Sequence, residues 1–301
     1  MILLVKTKKT MPDIPNKIRV SIVAIRDGNL LLIKRVKPDK TYYTFPGGTV
    51  EDNETPEEAV VREGLEELSH PIEIDRLLFE DKDADRHDYY FLIKDFAGEP
   101  KMGEPEVSRI TEGNNYIYEW IPMNEIKDLD NFYIPDIRPQ LLNWWNNKQL
   151  VEDIRNALVS SDETVGEVEY TTGNFDDKSN LIAGSIPTVT TDACEIGIYN
   201  TTIYFTFIIF SSDFKKELLD ILPDNVQIYP FKYFNSTLYP KSGFNYSEFE
   251  KQLKHDKYLQ INFNDNYKDH SVDHIVKKYF EYKELFKKCD IQLINQLGLV
   301  E

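Results

Sequence analysis

Cysteine is scarce in this sequence: there are two, Cys194 and Cys289, in 301 residues, and they form no CxxC pair. That usage excludes a disulfide scaffold and a thiolate zinc site and fits a reducing compartment. Long apolar runs are missing too. Ile2–Val5 ends at Lys6, and the stretch Ile203–Phe210 has strand length and contains Thr206, so neither a signal-peptide core nor a membrane span is expected. The chain reads as cytoplasmic. Basic charge dominates nowhere. Residues 1–150 carry 20 Lys+Arg against 28 Asp+Glu, and residues 151–301 carry 15 against 24, which sums to the net charge of −17. Nucleic acid is therefore not an expected partner, because a phosphate backbone requires a basic stripe. An acidic protein can act on small anions only with a local device, such as a bound divalent metal, that overcomes the repulsion.

No Gly/Ser- or Pro-rich linker marks a domain boundary, and no internal repeat is visible. At roughly 100–200 residues per domain, the length predicts two domains. The boundary is placed between Lys148 and Gly166, where Ser160, Ser161, Asp162 and Glu163 interrupt the pattern. This leaves residues 1–16 as an N-terminal extension, residues 17–150 as a first domain and residues 165–301 as a second, α+β domain.

Arg19–Arg26 is rich in β-branched residues and is followed by the turn dipeptide Asp27-Gly28, after which Asn29–Val36 returns; the two runs predict a hairpin. Thr41–Phe45 predicts a short aromatic strand that stops at Pro46-Gly47-Gly48. The best-specified helix follows, with Thr55 as N-cap, Pro56 at the first position and Glu58 completing a capping box. Val61, Leu65 and Leu68 cluster on one face of it and are expected to pack against the sheet. Further strands are expected at Ile72–Phe79, Tyr89–Ile93 and Tyr116–Ile121, with an acidic turn at Asp81–Asp88. A helix at Ile137–Gln149, burying Leu141, Leu142 and Trp145, closes the first domain. In the second, Glu195–Ile198 and Thr202–Phe210 predict paired strands, and Asp213–Leu222 predicts a helix burying Phe214, Leu218 and Leu222. Val226–Phe231 and Tyr258–Phe263 predict strands, and Ser271–Gln296 is mostly helical.

On the helix that follows Gly48, Glu63, Glu66 and Glu67 fall within about 100° of one another. Like charges at i,i+4 destabilise a helix by about 0.2–0.5 kcal/mol each. Such a face is either simply solvated or a set of hard oxygen ligands for a cation such as Mg²⁺. The wider spacing separates the two readings. Gly48, five residues, Glu54, seven residues, Arg62-Glu63 and, two residues on, Glu66-Glu67 resembles the Nudix box, GX5EX7REUXEEXGU, in which U is a bulky aliphatic. Six of the nine specified positions match, every charged one among them. Tyr42–Gly48 resembles the strand and turn that precede the box, and Glu119–Pro122 with Glu125 resembles the family's late strand and the helix after it. Gly64, Ser69 and His70 depart from the pattern at packing and turn positions, which bears on how the helix ends.

The resemblance covers about residues 17–148 and implies a Nudix-type mixed β-sheet between helices, an α/β/α sandwich. It implies hydrolysis of a phosphoanhydride in a nucleoside diphosphate linked to another moiety, such as a nucleoside triphosphate, ADP-ribose or a sugar nucleotide. Glu63, Glu66 and Glu67 would ligate Mg²⁺ or Mn²⁺ with the carbonyl of Gly47. Arg62 would orient the glutamates, and Glu54 would support that network or bind the metal through water. The general base would come from the box or a later loop, where Glu104, Glu106 and Glu112 are the candidates. Arg35, Tyr43 and Phe45 are candidates for substrate contact. The rival reading is a catalytically idle nucleotide sensor fused to an effector, against which the intact carboxylate cluster argues. A homodimer is left open, and the second domain resembles nothing that would name it.

Overall fold

A computed structural model of the chain describes residues 17–82, 85–104, 106–111, 113–133, 137–173, 184–199, 202–230, 239–240, 249, 258–266 and 271–297. The N-terminal extension 1–16 lies outside the described residues, as does Glu112. The chain's internal contacts divide it into two compact units, one up to Arg138 and one from Pro139 through most of the rest.

The first unit is built from β1 (Lys17–Val23), β2 (Ile25–Arg26), β3 (Asn29–Val36), β4 (Thr41–Thr44), α1 (Pro56–Leu68), β5 (Ile74–Lys82), β6 (Arg86–Ile93) and β7 (Asn115–Pro122). One sheet has the order β1-β6-β5; in the other, β3 pairs with β2, β4 and β7. The expected hairpin at Asp27-Gly28 exists, since both residues take the left-handed conformation that a primed turn demands. It is confined, however, to Ile25↔Leu30 and Arg26↔Asn29. Upstream, β1 leaves β3 and pairs in parallel with β6, Val20 opposite Tyr89. Val20, Ser21, Ile22 and Val23 are all buried, which suits a parallel strand covered on both faces better than one arm of a half-exposed hairpin. The expected acidic turn is likewise shorter than Asp81–Asp88. β5 runs to Lys82 and β6 restarts at Arg86, so that Asp88 sits inside the sheet.

α1 packs through a different face from the one its aliphatic residues predict. Ala59, Val60, Glu63, Gly64, Glu67 and Leu68 are buried, whereas Val61 is 37% and Leu65 52% exposed. Ala59, Val60 and Leu68 join Val20, Ile22, Leu31, Ile72 and Phe91 in one core. The helix therefore turns two glutamates inward and two aliphatic side chains outward. Gly64 allows the close approach: a Cβ there would meet three side-chain carbons of Ile72 at 2.7–2.9 Å.

The second unit begins with α2 (Arg138–Val159), which does not stop at Gln149. Its buried face carries Leu141, Trp144, Asn147, Val151, Ile154 and Leu158, so Trp144 takes the buried place expected of Trp145. β8 (Val165–Gly173), β9 (Gly184–Thr191), β10 (Cys194–Tyr199), β11 (Thr202–Phe210), β12 (Val226–Pro230), β13 (Tyr239–Pro240) and β14 (Tyr258–Asn266) form a seven-stranded sheet in the order β13-β12-β14-β11-β10-β9-β8. The expected pair β10–β11 is present, with Cys194 opposite Phe207. α3 (Lys216–Ile221) is shorter than expected, yet Phe214, Leu218 and Leu222 are all buried. α4 (Val272–Lys288) is capped by Ser271 and ends well before Gln296. Its Tyr282 stacks on Phe263 of β14 at 4.0 Å, and its Ile275, Tyr279 and Phe286 enter the same core as Val151, Ile154 and Leu158 of α2. No described helix is long and apolar enough to cross a membrane.

Gly64→Ala tests the packing of α1. Helix propensity alone favours Ala by about 1 kcal/mol, but overpacking against Ile72 costs about 1–3 kcal/mol. Urea unfolding is expected to show a net loss of stability.

Candidate functional site

The site begins where β4 runs into Pro46. Gly47 has φ +135°, outside the range of ordinary L-residues, and a Cβ on it would lie 2.2 Å from the Val20 carbonyl oxygen. A Cβ on Gly48 would lie 2.1 Å from Oε1 of Glu63. The two glycines thus let the turn fit between strand β1 and helix α1. Backbone bonds pin it there: the Ile22 amide donates to the Pro46 carbonyl (2.8 Å), the Val20 amide to the Gly48 carbonyl (2.9 Å) and the Val50 amide to the Ile18 carbonyl (3.0 Å).

α1 starts as its sequence predicts. The Glu58 amide donates to the Thr55 hydroxyl (3.2 Å) and the Thr55 amide to the Glu58 carboxylate (2.9 Å). Its end explains two of the departures from the box. Ser69 takes the left-handed conformation, φ 55°, usually given to glycine, and the amides of Ser69 and His70 donate to the carbonyls of Leu65 and Gly64. The other terminal carbonyls are satisfied from outside: the Gly103 amide donates to Glu66 (2.7 Å), the Lys101 amide to Leu68 (3.0 Å) and the Tyr118 hydroxyl to Glu67. His70, in place of an aliphatic, packs on Phe96 at 5.0 Å and hydrogen-bonds through Nε2 to the Glu99 carbonyl at 3.1 Å.

Arg62 ties the acidic residues together. Its Nε and Nη2 form a fork on the Glu54 carboxylate (2.9 and 3.0 Å), Nη1 donates to Glu63 (2.8 Å) and Glu66 (3.2 Å), and Nη2 also donates to the Thr49 carbonyl (3.1 Å). These bonds, the one to Glu54 foremost, push the Arg62 pKa up, and Arg62 in turn holds the Glu54 carboxyl below the usual carboxylate range. Glu67 is held separately: its Oε2 accepts from the Gly47 amide at 2.6 Å. Glu63 and Glu67 are only 7% and 8% exposed. The fold thus brings Glu54, Arg62, Glu63, Glu66, Glu67 and the Gly47-Gly48 turn into one place.

The other expected residues are distributed differently. Phe45 is buried, 2% exposed, with its ring against Tyr90 (5.6 Å) and Phe132 (5.5 Å), so it is core and not a stacking surface for substrate. Tyr43 donates its hydroxyl to Glu119, which also binds Lys34. Strand alternation puts Glu119 on the face opposite Tyr118 and α1, and Tyr43 goes with it. Arg35 lies 3.6 Å over the Tyr116 ring and donates to Asn114 at 3.0 Å. Glu104 is exposed, next to the Gly103 that binds the end of α1; the Glu106 side chain and Glu112 lie outside the described residues. Sequence reasoning passed over Tyr118, Lys101 and Gly103, none of which belongs to a motif. It also passed over Arg19, whose Nη2 stands 3.5 Å from the Gly47 carbonyl oxygen.

Among the described residues no three His, Cys, Asp or Glu side chains converge as a ready metal cage. The donor chemistry nevertheless suits a hard divalent cation. Glu63 and Glu67 are buried oxygen donors one helical turn apart, Glu66 adjoins them, and the Gly47 carbonyl is at the same turn. Three carboxylates, Glu54, Glu63 and Glu66, share one guanidinium here while Glu67 stands beside them, and such an excess of negative charge favours a cation.

The family model described as NUDIX domain matches residues 15–142. The 8-oxo-dGTP diphosphatase of Escherichia coli strain K12 is 34% identical over 99 residues, which make up 30% of this chain and 77% of that protein. Among solved structures, the E. coli ORF135 protein is similar with a TM-score of 0.34 at 22% identity, over 44% of this chain and 89% of that one. A conserved hypothetical protein of Pyrococcus furiosus is similar with a TM-score of 0.42 at 14% identity, over 52% and 97%.

The lowered pKa of Glu54 gives the network a pH signature. A carboxyl whose folded pKa lies below its ordinary 4.5 contributes stability above that value and loses it as pH falls through the folded pKa. Glu54→Gln is expected to cost about 1 kcal/mol at pH 7. In urea melts, the gap to wild type should close as the pH drops well below 4.5.

Proposed function

The chain belongs to the Nudix family of hydrolases, which act on phosphoanhydride bonds, and from that premise we propose that its first unit is a metal-dependent pyrophosphohydrolase. Its substrate is a nucleoside diphosphate linked to another moiety. The observation that carries this reading is the Arg62-centred carboxylate set, folded against a turn in which Gly47 takes φ +135° close to the Val20 carbonyl. Glu63, Glu66, Glu67 and the Gly47 carbonyl would hold Mg²⁺ or Mn²⁺. When bound, such an ion supplies Lewis acidity toward the phosphoryl oxygens and lowers the pKa of coordinated water. It also offsets the net charge of −17 that would repel a polyphosphate.

The protein's own residues then have defined tasks. Arg62 holds the Glu54 carboxyl below the usual carboxylate range and fixes the orientation of Glu54, Glu63 and Glu66 through charge-assisted bonds. The Gly47 amide holds Glu67 against the turn. Attack of water forms a new P–O bond, the anhydride P–O bond breaks, and a carboxylate takes the water proton, giving a nucleoside monophosphate and the phosphorylated form of the other moiety. A box carboxylate or one of Glu104, Glu106 and Glu112 would take that proton; of these loop residues Glu104 is exposed next to Gly103, whose amide binds the C-terminal turn of α1. The E. coli relative is an 8-oxo-dGTP diphosphatase, so nucleoside triphosphates head the substrates to test, followed by ADP-ribose and sugar nucleotides. Residues 165–301, sharing a core with α2, form the second, α+β unit.

Turnover is read as phosphate liberated from the products by an added phosphatase, across that panel with Mg²⁺ or Mn²⁺. Wild type should hydrolyse one class, and Glu67→Gln should lose at least about 100-fold in kcat while retaining its thermal midpoint within a few degrees. A wild type inert toward the whole panel with either metal would remove the enzymatic reading.

A further inference from the structure

The outer face of α1 carries aliphatic side chains that neither the core nor the catalytic set uses. Val61 and Leu65, four residues apart on one stripe, are both exposed. The chain brings a second exposed pair, Val107 and Ile110, to the same end of the helix. The Gly103 amide donates to the Glu66 carbonyl (2.7 Å), and a Cβ on Gly103 would lie 2.9 Å from the Leu65 carbonyl oxygen. From Gly103 a short turn follows, in which the Val107 amide donates to the Gly103 carbonyl (3.0 Å) and the Ile110 amide to the Val107 carbonyl (3.1 Å). Apolar side chains scattered singly on a surface are ordinary, whereas a gathered set marks an interaction site.

The margin of this face is acidic. Glu57 and Glu58 stand exposed one turn before Val61, and Glu104 stands exposed after Gly103. None of the three pairs with a cation among the described residues. Arg62, the one cation in the sequence of α1, is committed to Glu54, Glu63 and Glu66. What covers the face must therefore be apolar at its centre and basic at its edge. A second copy of the same face fails on charge, because it sets the same glutamates against these.

The chain's own sequence supplies a segment of that chemistry. Ile2, Leu3, Leu4 and Val5 are followed by Lys6, Lys8 and Lys9, with no acidic residue before Asp13. Its point of attachment is close to the helix. Lys17 opens β1, the Ile18 carbonyl accepts the Val50 amide (3.0 Å), and the carbonyl of the adjacent Thr49 accepts Nη2 of Arg62 on α1 (3.1 Å). The chain from Val5 to Lys17 can span up to about 40 Å, whereas α1, with 13 residues, is about 20 Å long. We propose that the outer face of α1, with Val107 and Ile110, is the docking site of residues 2–9 of the same chain. The aliphatic run covers Val61 and Leu65, and the three lysines answer Glu57, Glu58 and Glu104. The tether holds the segment at an effective concentration in the millimolar range, so modest contacts are enough. The helix that bears the carboxylate set is then held from outside as well as from the core, whatever the substrate.

Disulfide trapping in the full chain supplies the test. Leu4→Cys is combined with Leu65→Cys and, as control, with Ile117→Cys, an exposed position of β7 on the face opposite Tyr118 and α1. After mild oxidation, bonds are located by non-reducing peptide mapping, which also separates them from the native Cys194 and Cys289. The bond to position 65 should form within one chain at least about tenfold faster than the bond to position 117. Lys6→Glu, Lys8→Glu and Lys9→Glu together should slow it about threefold or more, as should added salt. If Leu65→Cys fails to fold, Val61→Cys takes its place. Equal rates for the two pairs, a bond found only between two chains, or a rate untouched by the lysine changes would overturn the docking.

Discussion

The fork between Arg62 and Glu54 is the interaction on which the catalytic half of this protein depends. Three inward or edge-facing glutamates on one helix cannot be buried together without a counter-charge. Arg62 supplies it from the same helix, reaching Glu63 and Glu66 while Glu54, on the approach loop, fixes the guanidinium from outside. Because one nitrogen of the same group also binds the Thr49 carbonyl, the loop after Gly48 and the helix are tied by a single side chain. A lysine, with a point charge and no fork, could not hold these partners at once.

Strand β1 sets where that arrangement stands. Its edge accepts the glycine turn, its first face enters the core beneath α1, and its second face carries Arg19. The second unit carries a polar cluster of its own. In the second unit, the Tyr279 hydroxyl donates to Glu163, Lys283 donates to Glu163 and Asp192, and the Thr191 hydroxyl oxygen accepts the Ala193 and Cys194 amides while donating to the Cys194 carbonyl. These groups answer one another, as a network that specifies a fold should.

The second unit is a self-contained α+β body in which α2 and α4 share a core with an antiparallel sheet. Aromatic side chains fill it: Phe205, Phe207 and Phe263 of the sheet meet Tyr282 and Phe286 of α4. Its cysteines are free, Cys194 buried and Cys289 partly so. Burial pushes the Cys194 thiol well up, which makes it inert.

The sequence by itself determined the parts whose cause is local or whose spacing is chemical. Thr55, Pro56 and Glu58 dictate the start of α1 through their own caps, and Asp27-Gly28 dictates a primed turn. The run from Gly48 to Glu67 names the family because each charged position has a partner a fixed number of residues away. Tertiary structure decided what depends on distant neighbours. Hydrophobic spacing assigned Val61 and Leu65 to the core, but the neighbouring sheet and the glycine turn drew Glu63 and Glu67 inward. The hairpin signal at Arg19–Arg26 could not reveal that β1 would pair with β6, residues away in sequence and parallel. Asp88 read as part of a solvated acidic turn until a strand placed it opposite Arg19. In each case the deciding contact came from another element, and a linear pattern holds no information about which element that will be.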